Sequence, residues 1–132
     1  MKVFSAEWAQ AYHDLINQSS AYQESSRAWR EGKLALVLRR EPEGVAVLLD
    51  LLEGRCLGVV STSPDTAAGE AAFVIEGDEA TWGEVLAGRL APLMGIMRGK
   101  LRLSKGSIAR LMPYTKGATE LVNCAQHLPT EF

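Results

Sequence analysis

The chain has 132 residues, 47% of them hydrophobic and 23% charged, with a net charge of -2 at pH 7; this is enough apolar material for the core of one domain and too balanced for a disordered tail. Two cysteines cannot make a disulfide framework, and no apolar run approaches the roughly 20 residues that a membrane-spanning helix needs. The balance hides an asymmetry: residues 1–84 carry fourteen acids against seven bases, whereas residues 85–119 carry Arg89, Arg98, Lys100, Arg102, Lys105, Arg110 and Lys116 with no acid at all.

From Ser5 to about Trp29 the pattern predicts one long helix, with Trp8, Tyr12, Leu15, Ile16 and Tyr22 on one stripe and Gly32 as its stop. Its start, "VFSAEWAQ", lacks the apolar segment of a signal peptide; together with Cys56 and Cys124, read as buried free thiols, this predicts a cytoplasmic protein. "KLALVLRR", "VAVLLDLL" and "RCLGVVS" are apolar, partly β-branched runs separated by "EPEG" and "EG", which predicts a three-strand antiparallel meander. Their near-continuous apolar character predicts cover on both faces.

"TSPDTAAG" reads as a loop, and "EAAFVIEG" as a fourth strand with Ala71, Phe73 and Ile75 on one face. Asp78 is placed to cap a helix carrying Trp82, Val85 and Leu86, which Gly88 ends. A short helical stretch from Leu90 to Met97 precedes "KLRLS", where Leu101 and Leu103 alternate with Lys100 and Arg102 as a half-exposed strand requires. Ser107 caps a last helical region, bent near Pro113 and running on through Leu121, Val122 and Ala125. The prediction is an α+β domain over residues 1–132: a five-stranded, mostly antiparallel sheet, a long N-terminal helix, and further helices gathered on one sheet face.

Signatures of covalent chemistry are missing. His13 and His127 lie near opposite ends without metal-ligand spacing, and there is no nucleophile elbow, phosphate loop or dinucleotide fingerprint. No catalytic residue, metal or cofactor is therefore assigned. Asp50, inside "VLLDLL", is the one residue that argues for an enzyme, an isomerase-like site in which a carboxylate with a raised pKa works beside Tyr12 or Tyr114. An ion pair with Arg55, diagonal to it across the "EG" turn, is the favoured explanation.

The basic stretch "GRLAPLMGIMRGKLRLSKG", residues 88–106, interleaves two methionines and several leucines with five bases. A field of this sign favours phosphate or carboxylate partners, anionic headgroups first and nucleic acid as the rival. Of the aromatics near it, Trp82, Phe73 and Tyr114, only Tyr114 reads as exposed, so a base-stacking surface is not expected.

Residues 70–106 resemble the sterol carrier protein type 2-like lipid-transfer family, in which a strand, an acidic turn and a short helix lead to a "G-x-L-x-P" segment and then to "M-x-G-K-L" entering the last strand. The positions that carry the resemblance are Gly88, Leu90, Pro92, Met97, Gly99, Lys100 and Leu101. "LRLSKGS" departs from it by one inserted residue, and the ending "PTEF" is not a peroxisomal address.

The resemblance implies non-catalytic lipid binding in an apolar tunnel between the sheet and the later helices, with a fatty acyl, acyl-CoA, phospholipid or sterol-like ligand and no cofactor. The predicted walls are Phe73, Ile75, Trp82, Leu86, Leu90, Leu93, Met94, Met97, Leu101, Leu103, Ile108, Leu111 and Met112, whose methionines can reshape around different chains. Arg89, Arg98, Lys100, Arg102 and Arg110 are expected to hold a headgroup at the mouth or to make transient contact with an anionic membrane surface. The expected protein is a monomer or weak homodimer that binds no nucleic acid. The alternative is an interaction or accessory domain of a larger assembly with an anionic partner.

Overall fold

Ser19 divides what the periodicity predicts as one N-terminal helix. In the computed structural model, which describes residues 1–132, α1 (Ala6–Gln18) ends at Ser19, whose extended backbone starts α2 (Ser20–Ser25) as Oγ accepts the Tyr22 N–H at 3.0 Å. A serine hydroxyl competes with the helical bond pattern in this way. The apolar stripe runs across the break, so periodicity alone does not register it. Ser5 caps α1 likewise, accepting the Trp8 N–H at 3.2 Å.

Five strands follow: β1 (Leu34–Leu38), β2 (Val45–Leu52), β3 (Arg55–Thr62), β4 (Phe73–Gly77) and β5 (Arg102–Lys105), in the spatial order β3-β2-β1-β4-β5. The β1–β4 pairing is parallel and the others antiparallel, so the sheet is mostly antiparallel as predicted. Glu53 and Gly54, both with positive φ, make the two-residue turn between β2 and β3 and pair Leu52 with Arg55. A Cβ on Gly54 would strike the Gln23 carbonyl, because α2 lies directly on this turn.

Alternation then sorts the strands. Leu34, Leu38, Val47, Leu49, Leu51, Phe73 and Ile75 join α1 and the later helices in the main core, while Ala35, Val37, Ala46, Leu48 and Val74 face the other way. That outer face is covered by α3 (Pro64–Glu70), formed by the segment that reads as a loop. Ser63 caps it, Pro64 opens it, and the small side chains of Ala67 and Ala71 let it lie close on the sheet. The helices are thus not all on one face. An apolar outer surface on β1 and β2 needed a cover, and the shortest crossover to β4 supplies it.

The remaining helices, α4 (Glu79–Leu86), α5 (Pro92–Met97), α6 (Ile108–Leu111) and α7 (Thr115–Ala125), lie on the inner side, with a 3-10 turn at Met112–Tyr114 around Pro113 giving the expected bend. The C-terminal segment returns to the start of the chain, where Thr130 Oγ1 accepts the indole N–H of Trp8 at 3.0 Å.

The ion pair expected for Asp50 does not form. A bulge between Asp50 and Leu51 sets Asp50 opposite Gly58 rather than diagonal to Arg55. Alternation puts Asp50 on the outer face with Ala46 and Leu48, whereas Tyr12 is buried in the inner core, its hydroxyl donating to the Leu121 carbonyl at 2.9 Å. Tyr114 also lies on the inner side, against Trp29. The carboxylate and either tyrosine therefore face opposite sides of the sheet.

Candidate functional site

The inner face of the sheet is roofed by α4, α5 and α7, each anchored by identifiable contacts. Asp78 starts α4 by accepting the Thr81 N–H at 2.8 Å, a bond that holds its carboxyl below the usual pKa. Trp82 fixes the helix to the sheet, its indole N–H donating to the Val37 carbonyl at 2.8 Å and its ring meeting Phe4 edge-on at 5.5 Å. Gly88 ends α4, and Pro92 opens α5 with no side-chain cap behind it. On α5, Gly95 sits so close to Leu101 that a Cβ there would come within 2.9 Å of a Leu101 methyl.

Between these helices and the sheet runs an apolar cleft made of three adjoining chambers. One inner chamber, about 40 Å³, is bounded by Tyr22, Ser26 and Trp29 on one side and by Ile75, Leu93 and Leu111 on the other. A second, about 50 Å³, extends under α4 along Tyr12, Leu36, Trp82, Val85 and Leu86. The two share Leu34, Ile75, Pro92, Ala118 and Leu121. The third, about 180 Å³, lies outward along the α5–α7 seam among Met94, Met97, Met112, Thr115 and Thr119, and borders the first at Pro92, Leu93 and Ala118. Ala118 borders all three.

Of the predicted wall residues, Ile75, Trp82, Leu86, Leu93 and Leu111 line the inner chambers, and Met94, Met97 and Met112 line the outer one. Leu101, Leu103 and Ile108 instead border an open groove on the far side of α5, with Ile96 and Arg102. Phe73 and Leu90 pack in the core, Phe73 against Trp29 with ring centroids 5.7 Å apart. Sequence reasoning missed the contribution of the first half of the chain, Tyr12, Tyr22, Ser26, Trp29, Leu34, Leu36 and Leu51, and that of α7. The alternation in "LALVL" could have offered Leu34 and Leu36. Gly117 was a further signal: α7 approaches Ser26 so closely there that a side chain would collide with its hydroxyl.

The five expected headgroup bases divide in two. Arg89 is bonded to Glu84 at 2.8 Å, and Arg110 to Glu31 at 2.9 Å through Nε while it stacks 5.4 Å over the Phe73 ring. Arg98, Lys100 and Arg102 are exposed and have no carboxylate within ion-pair distance. Tyr114 is half-buried rather than exposed, its hydroxyl donating to the Ala28 carbonyl at 3.1 Å and its ring meeting Trp29 at 4.8 Å.

No three His, Cys, Asp or Glu side chains converge as a metal site would require. Burial pushes the Cys56 thiol up to about 11 and raises Cys124 as well, so both are neutral thiols at ordinary pH. His13 packs beside Cys56, with Nε2 3.0 Å from its carbonyl oxygen.

The sequence profile of the SCP-2 sterol transfer family matches residues 12–116. A crystal structure of a sterol carrier protein 2 is similar, at 48% identity and TM-score 0.87 over 96% of this chain and 98% of that one. So is the solution structure of a conserved hypothetical protein of Thermus thermophilus, a candidate sterol carrier protein, at 47% identity and TM-score 0.88 over 99% of this chain and 92% of that one. Sterol carrier protein 2 of Yarrowia lipolytica shares the fold at 18% identity and TM-score 0.59, over 90% and 89% of the two chains. No curated protein matches the chain.

Proposed function

Because the chain belongs to the SCP-2 sterol transfer family, we propose that it binds a lipid without transforming it, with the apolar tail in the cleft between sheet, α4, α5 and α7. The observation that carries this reading is the adjacency of the apolar chambers, which share walls at Pro92, Leu93, Ala118 and Leu121 and succeed one another from the sheet to the three methionines at the surface. Ligand pockets measure about 300–1,000 Å³. The two inner chambers, about 40 and 50 Å³, are far smaller, so uptake parts α5 from α7.

The physical terms favour an acyl chain as cargo. Burying one methylene is worth about 0.8 kcal/mol, and a C16 tail gains roughly 10 kcal/mol before ordering costs are subtracted. Met94, Met97 and Met112, unbranched and polarizable, adapt the outer chamber to chains of different shape. Arg98, Lys100 and Arg102 are the bases free to meet a phosphate or carboxylate, whereas Arg89 and Arg110 would first have to leave Glu84 and Glu31. In this reading residues 1–132 act as one lipid-binding unit, without cofactor or catalytic step, in the cytoplasm and as a monomer or weak homodimer. No helix is long and apolar enough to cross a membrane.

Ala118→Phe tests the site, since it sets a ring where the three chambers meet. Uptake of a fluorescent acyl probe is expected to weaken by about tenfold or more, equivalent to about 1.4 kcal/mol, while circular dichroism stays native. A folded variant that takes up the probe as the wild type does would contradict the cleft as the binding site.

A further inference from the structure

Six polar side chains border the two inner chambers, Tyr22, Ser26, Trp29 and Tyr114 in one and Tyr12 and Trp82 in the other. Four of them are tied to the backbone. The indole N–H groups of Trp29 and Trp82 donate to the carbonyls of Gly32 at 3.0 Å and Val37 at 2.8 Å, and the hydroxyls of Tyr114 and Tyr12 donate to those of Ala28 at 3.1 Å and Leu121 at 2.9 Å. Tyr22 and Ser26 have no such anchor: one helical turn apart at the end of α2, their hydroxyls meet each other.

Both are buried, and Ser26, 3% exposed, is the one serine, threonine, amide or charged residue in the buried interior. A polar group in such a place calls for a partner. Its surroundings are also kept open, because α7 presents Gly117 to it, where any side chain would collide with the Ser26 hydroxyl. Two hydroxyls bonded only to each other use one donor and one lone pair, which leaves one O–H and three lone pairs unfilled. The unfilled O–H faces a chamber that is otherwise apolar.

We propose that the Tyr22–Ser26 pair binds an uncharged oxygen, a hydroxyl or a carbonyl, carried on the end of the lipid that reaches the inner chamber. The proposal rests on the lipid-binding reading above and adds the chemical class of the cargo: a lipid with a neutral polar group opposite its head, rather than a plain hydrocarbon tail. The ligand oxygen accepts the free O–H, and a ligand hydroxyl also donates to one of the lone pairs.

The same chamber excludes charge. No charged side chain lines it, so a carboxylate there would lose its hydration and gain no cation in return. Burial pushes the Tyr22 hydroxyl up to about 12, with Ser26 holding it back, so it remains a protonated donor at ordinary pH. A lipid entering between α5 and α7 passes Leu93 and Ala118 before it reaches the pair. An acidic head therefore stays outward, and the neutral end goes in.

Displacement of a fluorescent acyl probe tests this with ω-hydroxylaurate, ω-hydroxymyristate, ω-hydroxypalmitate and ω-hydroxystearate, each against the plain fatty acid of its length. Without a partner, a buried ω-hydroxyl weakens binding by about tenfold or more. The wild type is expected instead to bind the hydroxy acid at least as tightly as the plain acid at the length that spans the chambers. Tyr22→Phe and Ser26→Ala are each expected to lower that ratio of affinities by about tenfold. Because the ratio is taken within one protein, a general loss of stability leaves it unmoved. Weaker binding of the hydroxy acid at every length, or a ratio unchanged in either variant, would overturn the proposal and leave the cleft standing. A wild type that takes up neither the probe nor any of the acids would remove the cleft and the pair together.

Discussion

The carboxylate of Asp78 shows how much one side chain decides, since it both starts α4 and, through Trp82 four residues on, sets one wall of the cleft. Its pKa is lowered chiefly by the Thr81 N–H it accepts. A lowered carboxyl stabilises the fold fully above its unfolded pKa, and that stability is lost as the pH falls through the folded value. Asp78→Ala is therefore expected to cost about 1 kcal/mol at neutral pH and progressively less in acid, read by urea denaturation of both proteins across that range; a cost independent of pH would deny the bond its role. This residue was legible from sequence because capping is local: an acidic side chain before a helical stripe needs no knowledge of the rest of the chain. Asp50 was not. Its environment is fixed by a bulge in the β2–β3 register, and nothing in "VLLDLLEGRC" distinguishes a regular hairpin from a bulged one.

Among the elements, those with a strong apolar period were readable and those made of small residues were not. The strands, the β2–β3 turn, α4 and the bend at Pro113 follow from alternation, turn chemistry and proline. α3 escaped because Ala67 and Ala71 give it no large apolar stripe, although Ser63 and Pro64 are a proper helix start. The seam between α5 and α7 escaped for a different reason: Ala118 and Leu121 meet Pro92 and Leu34 only through the tertiary fold. Its two sides also differ in how firmly they are held. α5 has six residues and no side-chain cap, whereas α7 is eleven residues long and packs on α1, α2, α4 and α5. Hydrogen exchange should therefore be fastest in α5 and α6 and slowest in β1, β2 and β4, since short, uncapped elements open locally at low cost. Amides of α5 as protected as those of β1 would mean that the roof does not part there, and uptake would need another route.

At the scale of the molecule, the sheet supplies a rigid floor, α1 and the C-terminal segment close one side, and α3 seals the outer face, leaving the inner side for the cleft. The later half of the chain announced the site through its methionines and bases, but three of the four strand residues that floor it are Leu34, Leu36 and Leu51, which read only as parts of apolar strands. The bases are likewise split by tertiary partners that no linear reading supplies, Glu84 for Arg89 and Glu31 for Arg110. The most direct test of lipid binding is native mass spectrometry of the freshly purified protein, with organic extraction of whatever it carries. An adduct of a few hundred daltons that extracts as a fatty acid, acyl-CoA, phospholipid or sterol-like lipid is the expected result; a clean protein mass, together with no uptake of an acyl probe, would contradict it.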